Sequence, residues 1–428
     1  MKYAIKSYED PDRTLWPLLV KRPAVNESLM EEAIEEIFNE VRERGDDALR
    51  DFTRRFDAVD ITDFKVNQDE WARGVASISQ ELKDAIEMAY HNIYAFHATQ
   101  VEEIRKIETL RGVTCWRESR PINPIGIYIP GGTAPLFSTV LMLAIPAKIA
   151  GCHDMVLCTP PDKNGKVHPA VLYAAQLCEI DDVCKVGGAQ AIAALTLGTS
   201  SIRKVNKIFG PGNQYVTAAK IKAQLLGCPI DLPAGPSEVL VYADKSCPLS
   251  YIVSDLLAQA EHGPDSQVVL VTDGSIQKME LDEEINRQLE VLPRKDIARA
   301  AMDNAYMTSF QEISRAFEFI NDYAPEHLII ACQGAEKLTN HVMNAGSVFV
   351  GNYSPESAGD YASGTNHTLP TSGYAKNYSG VSVDSFVKKI TFQALSKEGL
   401  NSLGPSVIKM AEEENLHGHA NAIKVRMT

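Results

Sequence analysis

The chain has 428 residues, a length that predicts two or three domains because a single hydrophobic core rarely grows so large. Its hydrophobic content of 45% and charged content of 23% are those of a globular protein and exclude a disordered chain. The formal net charge of −14 argues against a nucleic-acid or anionic-membrane surface, since both need clustered Lys and Arg, and favours a small neutral or cationic ligand.

The segment MKYAIKSYEDPDRTLW at the start of the chain carries charges where a signal peptide needs an apolar run. The longest uncharged apolar stretch, residues 134–147, is too short to span a bilayer and contains prolines. The 8 cysteines lie in apolar segments and include no C-x-x-C pair, which is typical of buried free thiols in a reducing compartment. These features predict a cytoplasmic protein that does not enter a membrane.

Helical periodicity begins near Ser28, where Ser28 and Glu31 form a capping-box pattern, and continues to about Phe56. Gly45 is expected to end the first helix, and Asp46 is expected to cap the next one. An N-terminal helical region is therefore predicted. The apolar residues on its predicted buried face are Ile34, Ile37, Phe38 and Val41.

Beyond Pro121 the pattern changes to short apolar runs that alternate with helical segments. IGIYIP and DMVLCTP indicate strands, with helices predicted over 136–150 and 168–178, and this order predicts a parallel sheet with right-handed crossovers. SEVLVYAD, a helix over 248–261, SQVVLVTD and SVFVGN form a second series, so two α/β units are expected. After Gly380 the sequence predicts short helices and a polar tail.

No P-loop, zinc-protease or α/β-hydrolase motif is present, and a full G-x-G-x-x-G is also missing. Three glycine turns are the nearest substitutes: IPGG at 129–132, VGGAQA at 186–191 and FGPGNQ at 209–214. Each turn follows an apolar run and precedes a helix, where free backbone N–H groups suit a phosphate. The same pattern also serves tight turns that bind nothing, and the residues alone leave both interpretations open.

QAEHGPD places Gln259 and His262 three residues apart at a predicted helix end, where an amide oxygen and an imidazole nitrogen can begin a metal site. A polar helix end capped by its own side chains is the alternative.

YAPEHL places Glu326 beside His327, a pair suited to proton transfer near neutral pH, although a surface ion pair is the more common reason for such a dipeptide.

Residues 354–373 are small and polar, and a loop of this length inside a compact enzyme tends to be functional. Asp360 and His367 in this segment are candidate ligand or substrate contacts, while a mobile surface loop is the alternative. The tail contains His417 and His419, which gain importance only if a partner site exists.

Together these segments resemble the histidinol dehydrogenase family over about 300 residues, which is far more specific than any single motif. The matching segments, in order, are IGIYIPGGTAPLFSTV, GGAQAIAAL, KIFGPGNQYV, DLPAGPSEVLV, DLLAQAEHGPDSQV, YAPEHL, PESAGDYASGTNHTLPTSGY and HANAIKVR.

The resemblance implies one zinc ion per subunit, NAD as cofactor, and a homodimer whose active site is completed by the other subunit. The implied metal ligands are Gln259, His262, Asp360 and His419, and this oxygen and nitrogen set also suits manganese or cobalt. His419 is expected from the neighbouring subunit; His417 lies two residues earlier, so a shift of register would exchange them, but the HANAI context favours His419.

The implied catalytic residues are Glu326 and His327. The implied substrate contacts are Ser237, Gln259, His262, His327, Asp360, His367, Glu414 and His419. The implied NAD contacts are Tyr128, Gln190 and Asn213.

The implied reaction is oxidation of L-histidinol to L-histidine through L-histidinal, the last two steps of histidine biosynthesis. His327 suits the base that takes the hydroxyl proton, and Glu326 suits the group that activates water for the aldehyde. Zinc is expected to anchor the amine and imidazole nitrogens of the substrate. The alternatives are a metal-dependent hydrolase, in which Glu326 would activate a metal-bound water, and a non-catalytic nucleotide-binding or scaffold protein.

The implied fold is α/β, with two incomplete Rossmann-like domains and small, mainly helical terminal domains. Residues 1–24 are expected to form an N-terminal arm, and residues 25–127 with 240–380 a first Rossmann-like domain that carries the metal site. Residues 128–239 are expected to form the second domain, on the NAD side, and residues 381–428 a helical tail exchanged with the partner subunit.

Overall fold

The computed structural model describes residues 3–22, 27–131, 135–233 and 235–427, and the side chains of residues 27–29 lie outside this description. The described strands are β1 (Lys6–Glu9), β2 (Lys106–Leu110), β3 (Val113–Pro121), β4 (Ile125–Tyr128), β5 (Met155–Thr159), β6 (Asp182–Lys185), β7 (Lys207–Phe209), β8 (Glu238–Ala243), β9 (Gln267–Thr272), β10 (Tyr306–Ser309), β11 (His327–Ala331), β12 (Ser347–Val350) and β13 (Val387–Leu395). The described helices are α1 (Trp16–Leu19), α2 (Glu27–Arg44), α3 (Asp46–Phe56), α4 (Gln68–Ser77), α5 (Gln80–Ala98), α6 (Phe137–Ile149), α7 (Pro169–Leu177), α8 (Gly188–Leu197), α9 (Gln214–Leu225), α10 (Leu249–Ala260), α11 (Lys278–Leu289), α12 (Lys295–Met302), α13 (Ile313–Tyr323), α14 (Ala335–Leu338), α15 (Glu356–Tyr361), α16 (Lys397–Glu413) and α17 (His417–Met427). Parallel strands alternate with helices along most of the chain, which confirms the expected mixed α/β class.

One parallel sheet, the six-stranded sheet, is formed by described strands in the order β1-β10-β9-β8-β11-β12. The central strands β8, β9 and β11 are buried at every residue, because helices cover both faces of the sheet. Helices α10, α11 and α12 pack on one face, while α1 and α13 pack on the other. This sheet contains the second predicted α/β series, and β1 extends it from the N-terminal arm.

A second parallel sheet, the four-stranded sheet, has the described order β6-β5-β4-β7 and contains the first predicted series. Helices α5, α6 and α7 cover one face, and α2, α3, α8 and α9 cover the other. The observed bounds of α6 and α7 lie within one residue of the predicted ends, because long uniform apolar segments make helix positions easy to recognise.

A third sheet is antiparallel, has the described order β13-β3-β2, and was not predicted. Strand β13 pairs with β3 from Val387 opposite Pro121 to Leu395 opposite Val113. The expectation of only helices and a polar tail after Gly380 is therefore wrong, and strands also precede Pro121. These strands leave many residues exposed and lack the continuous apolar runs that identified the other strands.

The helices between residues 27 and 98 pack on the four-stranded sheet. Helix α2 contacts α8 and α9, α4 contacts α7, and α5 contacts α6. This packing corrects the expectation that residues 25–127 belong with the six-stranded sheet. That expectation came with the family resemblance, whereas the apolar face of α2 packs on the four-stranded sheet together with α8 and α9.

The predicted break at Gly45 is confirmed, since α2 ends at Arg44 and α3 begins at Asp46. The Asp46 side chain does not cap α3. It accepts hydrogen bonds from the Ser200 hydroxyl at 2.8 Å and the Ser201 hydroxyl at 2.6 Å, and so ties α3 to the segment after α8. The predicted capping role of the Ser28 side chain falls outside the described residues.

The eight cysteines are free thiols, as predicted, and seven of them are buried while Cys115 is partly exposed. Buried thiols pack as small apolar groups, so they need no partner. Among the helices that the structure describes, none combines the length and apolarity needed to cross a membrane.

The packing of α2 predicts a large stability effect at Phe38, whose side chain is fully buried against the four-stranded layer. Phe38→Ala should lower the free energy of unfolding by about 3–5 kcal/mol, because it removes buried apolar surface and leaves a cavity. Phe56→Ala is the matched control, since Phe56 is 51% exposed, and it should cost less than about 1.5 kcal/mol. Denaturant unfolding measures both values, and equal effects would contradict the proposed packing.

Candidate active site

The glycine turns lie at the end of the four-stranded sheet where its strands finish. Tyr128 is the last residue of β4, VGGAQA follows β6, and FGPGNQ follows β7; Gly132 of the first turn falls outside the described residues. Because parallel strands finish at the same end of a sheet, these segments lie side by side, which is where α/β sheets commonly bind ligands. The Tyr128 hydroxyl accepts a hydrogen bond from the Gly188 N–H at 3.1 Å and joins the first two turns.

A buried ion pair fixes the third glycine turn. The Lys220 ammonium lies 2.5 Å from an Asp231 carboxylate oxygen and donates a hydrogen bond to the Gly210 carbonyl at 2.8 Å. The Gly210 N–H donates to Asp231 at 2.7 Å, so both polar groups of Gly210 are held. A side chain at Gly210 would not fit, since its Cβ would lie 2.0 Å from the Tyr128 carbonyl oxygen.

A cavity of about 70 Å³ separates this turn from the catalytic candidates of the six-stranded sheet. Ser237, Glu326 and His367 line the cavity together with the turn itself. The structure therefore brings predicted residues from both parallel layers to one enclosed space, although they are far apart in the sequence.

Glu326 and His327 lie where β11 begins, and their exposed fractions are only 5% and 4%. The alternative of a surface ion pair is therefore wrong. Because β11 pairs with β8, the peptide groups of Glu238 lie beside both side chains. The Glu238 N–H donates to a Glu326 carboxylate oxygen at 2.8 Å, and the Glu238 carbonyl lies 3.0 Å from His327 Nδ1. A carbonyl can only accept, so Nδ1 carries a proton and Nε2 is the nitrogen free for chemistry.

The electrostatics of this pair follow from burial and from nearby carboxylates. Burial raises the pKa of Glu326 to about 8, so the side chain can exchange a proton near neutral pH. Burial alone would lower the pKa of His327, but the negative charges of Glu356, Glu326 and Asp360 outweigh it and raise the pKa above its usual range. His327 Nδ1 lies 3.6 Å from Glu326 and 3.9 Å from Glu356, while Nε2 lies 3.4 Å from Asp360.

A second group of polar side chains lies against His327. One ligand atom from each of His262, Glu356 and Asp360 falls within 4.8 Å of the other two. Gln259, three residues before His262 in the last turn of α10, is fully buried, and α10 packs against α15, which carries Glu356 and Asp360. The structure thus brings His262 and Asp360 together as the sequence predicted, and adds Glu356.

These residues fit a divalent metal ion because several of their buried atoms have no hydrogen-bond partner in the described structure. Such atoms are Oε1 and Nε2 of Gln259, Oε2 of Glu356, Oδ1 of Asp360 and Nε2 of His327. Buried polar atoms without partners are costly, and a cation would supply the missing interaction for the carboxylate and amide oxygens, whereas the amide nitrogen of Gln259 can only donate. The alternative that Gln259 caps its own helix end is wrong, since its amide atoms contact no donor or acceptor.

The protonation states also suit a metal. Loss of water around the ring lowers the pKa of His262 and favours the neutral imidazole, although part of the residue remains exposed. Burial opposes ionisation of Asp360, but the nearby His327 ring outweighs it and lowers the pKa of the carboxyl group. Imidazole, carboxylate and amide donors match zinc, manganese or cobalt.

Glu356 is a site residue that sequence reasoning missed. It belongs to α15, inside the segment that was expected to be a loop, and its exposed fraction is 1%. A usable signal was present, since Glu356 and Asp360 are four residues apart and therefore share one face of a helix. The surface-loop alternative is also wrong, because residues 368–371 are buried.

His367 connects the metal candidates to the four-stranded layer. Its Nδ1 donates to the Asp360 carbonyl at 2.8 Å, and its Nε2 lies 3.0 Å from the Thr139 hydroxyl on α6. Burial lowers the pKa of His367, in keeping with a neutral ring whose two nitrogens are both occupied. His367 therefore holds two layers of the molecule together at the cavity.

The predicted cofactor positions differ in their surroundings. Gln190 is 1% exposed, and its Nε2 atom has no partner in the described structure. Asn213 is exposed, and its side-chain oxygen caps α9 by accepting from the N–H groups of Tyr215 and Val216, both at 3.1 Å. Gln190 and Asn213 lie on neighbouring turns, with only the amide nitrogen of Asn213 free of the cap.

The predicted tail residues Glu414 and His419, and the alternative His417, are not among the residues grouped with His262 in the described structure. Glu414, His417 and His419 are all exposed, on the segment where α16 ends and α17 begins. Helix α17 packs on α16. Within one chain the tail residues therefore lie on the surface and are not among the grouped His262, Glu356 and Asp360.

Comparison with known proteins gives consistent matches over the whole chain. The family model described as histidinol dehydrogenase matches residues 20–427. The histidinol dehydrogenase of Bacteroides thetaiotaomicron is 51% identical over 423 residues, which is 99% of each chain. The chloroplastic histidinol dehydrogenase of Arabidopsis thaliana is 50% identical over 412 residues, covering 96% of this chain and 88% of the relative. The crystal structure of histidinol dehydrogenase from Elizabethkingia anophelis superposes with a TM-score of 0.96 at 50% identity, covering 100% of this chain and 99% of the other.

The cluster predicts that His262→Asn loses bound metal. After dialysis against zinc and then buffer, metal analysis should find about one ion per unsubstituted chain and at least about tenfold less in the variant, because a ligand is lost. His91→Asn is the matched control, since His91 is exposed on α5, and it should keep its metal. Equal metal content in the two variants would contradict the assigned site.

Proposed function

The chain belongs to the histidinol dehydrogenase family, and we propose that it oxidises L-histidinol to L-histidine through L-histidinal, with zinc bound and NAD as oxidant. Family membership makes it an oxidoreductase of histidine biosynthesis. One observation carries the mechanistic part of the proposal: the backbone N–H and carbonyl of one residue, Glu238, hold Glu326 and His327, next to buried polar atoms that lack hydrogen-bond partners among the described residues.

In the alcohol step, His327 takes the proton of the substrate hydroxyl. Its Nδ1 is committed to the Glu238 carbonyl, so Nε2 is the base in the neutral form of the ring, and the carboxylates that raise the pKa of His327 make that form a strong base. Nε2 has no hydrogen-bond partner in the described structure, which leaves that position for the hydroxyl. Asp360, 3.4 Å from Nε2, stabilises the imidazolium once the proton has moved.

In the aldehyde step, Glu326 removes a proton from the water that adds to the carbonyl carbon. Its carboxylate lines the cavity, and the Glu238 N–H orients one of its oxygens. A pKa of about 8, raised by burial, makes the group a stronger base than an exposed carboxylate. The second hydride then leaves from the hydrated aldehyde.

Zinc, when bound, would anchor the amine and imidazole nitrogens of the substrate, and NAD would accept the hydrides. The proposed zinc ligands are Gln259, His262 and Asp360, with His419 supplied by a second copy of the chain. Ser237, His367 and Glu414 are proposed as further substrate contacts, the last from the second copy as well. Tyr128, Gln190 and Asn213 are proposed as NAD contacts, supported by their shared position at the end of the four-stranded sheet.

The proposal includes an assembly. The active unit would be a cytoplasmic homodimer, and the exposure of Glu414 and His419 on their own chain, which leaves them available to a second copy, supports this. We also propose that the two parallel sheets are the cores of two incomplete Rossmann-like domains. The N-terminal arm and the exchanged C-terminal tail would complete the molecule around them.

Counting NADH tests the proposed reaction against the hydrolase alternative, which the family does not favour. The purified chain, supplied with L-histidinol and excess NAD, should form two NADH for each L-histidine, because each of two oxidation steps transfers one hydride. Absorbance and amino-acid analysis measure the two products. Histidinol consumption without NADH would reject the proposal, and chelation of the metal should stop turnover.

Glu326→Gln should separate the two steps. Aldehyde oxidation should slow by about 100-fold or more, because the variant cannot deprotonate water, while alcohol oxidation should slow by less than about tenfold. In the unsubstituted chain, the aldehyde step should become faster as the pH rises through about 8, since Glu326 then loses its proton. Assays started with L-histidinol and with L-histidinal give both rates. Equal losses in the two steps would show that Glu326 does not have the assigned role.

A further inference from the structure

Arg22, in the N-terminal arm, makes an ion pair deep beside the catalytic residues. Its Nε donates to one Glu238 carboxylate oxygen at 2.9 Å, and its Nη2 donates to the other at 2.7 Å. The Arg22 side chain is 14% exposed and the Glu238 side chain 1%. A carboxylate removed from water in this way needs a partner of opposite charge, and the two-point contact fixes its orientation as well as its charge.

The Arg22 guanidinium is itself held in place by neighbouring groups. It lies 3.7 Å from the centre of the Tyr323 ring, and it donates hydrogen bonds to the carbonyls of Val20 at 2.7 Å and Tyr323 at 2.8 Å. Stacking and a planar fork of donors are properties of arginine that a lysine ammonium lacks. The contact therefore depends on the shape of the group and not on charge alone.

Glu238 contacts Arg22 through its side chain and the proposed catalytic residues through its backbone. Its carboxylate is held by Arg22 and also accepts the Ser372 N–H at 2.6 Å. Its peptide groups hold the Glu326 carboxylate and His327 Nδ1. Loss of Arg22 would leave the Glu238 carboxylate poorly paired in the interior, and a shift of the whole residue that relieves this cost would displace the backbone groups that orient both catalytic residues.

We propose that Arg22 is a positioning residue for both oxidation steps, acting through Glu238 on Glu326 and His327; this rests on the proposed function. The N-terminal arm thereby takes part in the active site without touching substrate. Because the backbone N–H and carbonyl of one residue, Glu238, orient both catalytic side chains, loss of Arg22 should slow both steps by a similar factor, unlike loss of Glu326 itself.

The test compares Arg22→Lys and Arg22→Met with Arg13→Met in the zinc-loaded full-length protein. Arg13 is the matched control, since it lies in the same arm, is 70% exposed and pairs with Glu318 at the surface. For Arg22→Met we expect kcat per metal-bound chain to fall by about 30- to 100-fold, because displacements near 1 Å have effects of this size. KM for L-histidinol and NAD should change by less than about twofold, and Arg22→Lys should recover part of kcat.

Several outcomes would overturn the proposal. These are an Arg22→Met kcat within about twofold of the unsubstituted value, a loss confined to KM, a loss explained by reduced metal content, or an equal loss in Arg13→Met. If Arg22→Met does not fold, Arg22→Lys decides by the same measures, with an expected kcat loss of about three- to tenfold. Absence of NADH formation by the unsubstituted chain would instead reject the proposed function.

A crystal structure of Arg22→Lys tests the geometric claim without any assay. We expect the Glu238 carboxylate to turn and the contact between its carbonyl and His327 Nδ1, 3.0 Å in the unsubstituted chain, to lengthen. Unchanged positions of Glu238, Glu326 and His327 would overturn the proposal.

Discussion

The backbone N–H and carbonyl of one residue, Glu238, hold both side chains of the Glu326–His327 pair, and the proposed chemistry depends on these two hydrogen bonds. Its carbonyl selects the tautomer of His327, and its N–H orients the carboxylate of Glu326. Both side chains are buried, so neither can exchange these bonds for water when the geometry is disturbed. The parallel pairing of β8 with β11 places the backbone groups of Glu238 beside Glu326 and His327. The register of the two strands therefore fixes the orientation of both side chains.

The interior around Glu238 contains several buried polar atoms, and the proposed cation would offset part of the cost of burying them. Gln259, Glu356 and Asp360 all carry buried atoms without partners. Such an arrangement weakens the isolated fold and is retained where a bound cation and substrate complete it. Much of the stability of this region should therefore come from its ligands, in contrast to the apolar layers on either side.

Segments with strong periodicity could be predicted, and segments defined by long-range contacts could not. The helices at 137–149 and 169–177 follow from their apolar sequences, whereas strand β13 needs a partner that is distant in the sequence, strand β3, in which Pro121 lies opposite Val387. At the site, His262 and Asp360 were found through motifs. Glu356 was missed because its segment, rich in small residues, looked like a loop, and the arm gave no sign of contacting the site because an ion pair across 216 positions leaves no local pattern.

The catalytic pair lies where the strands of the six-stranded sheet begin, whereas the glycine turns lie where those of the four-stranded sheet finish. The opposite end of the six-stranded sheet, with the exposed turns at Asp244 and Asp273, contributes none of the described cluster residues. The two ends of the six-stranded sheet should therefore differ in how well they tolerate insertions. Extra loops or inserted tags can be accommodated at these turns. A single residue added at the start of β8 or β11 would instead shift the register of these strands and move Glu238 away from Glu326 and His327.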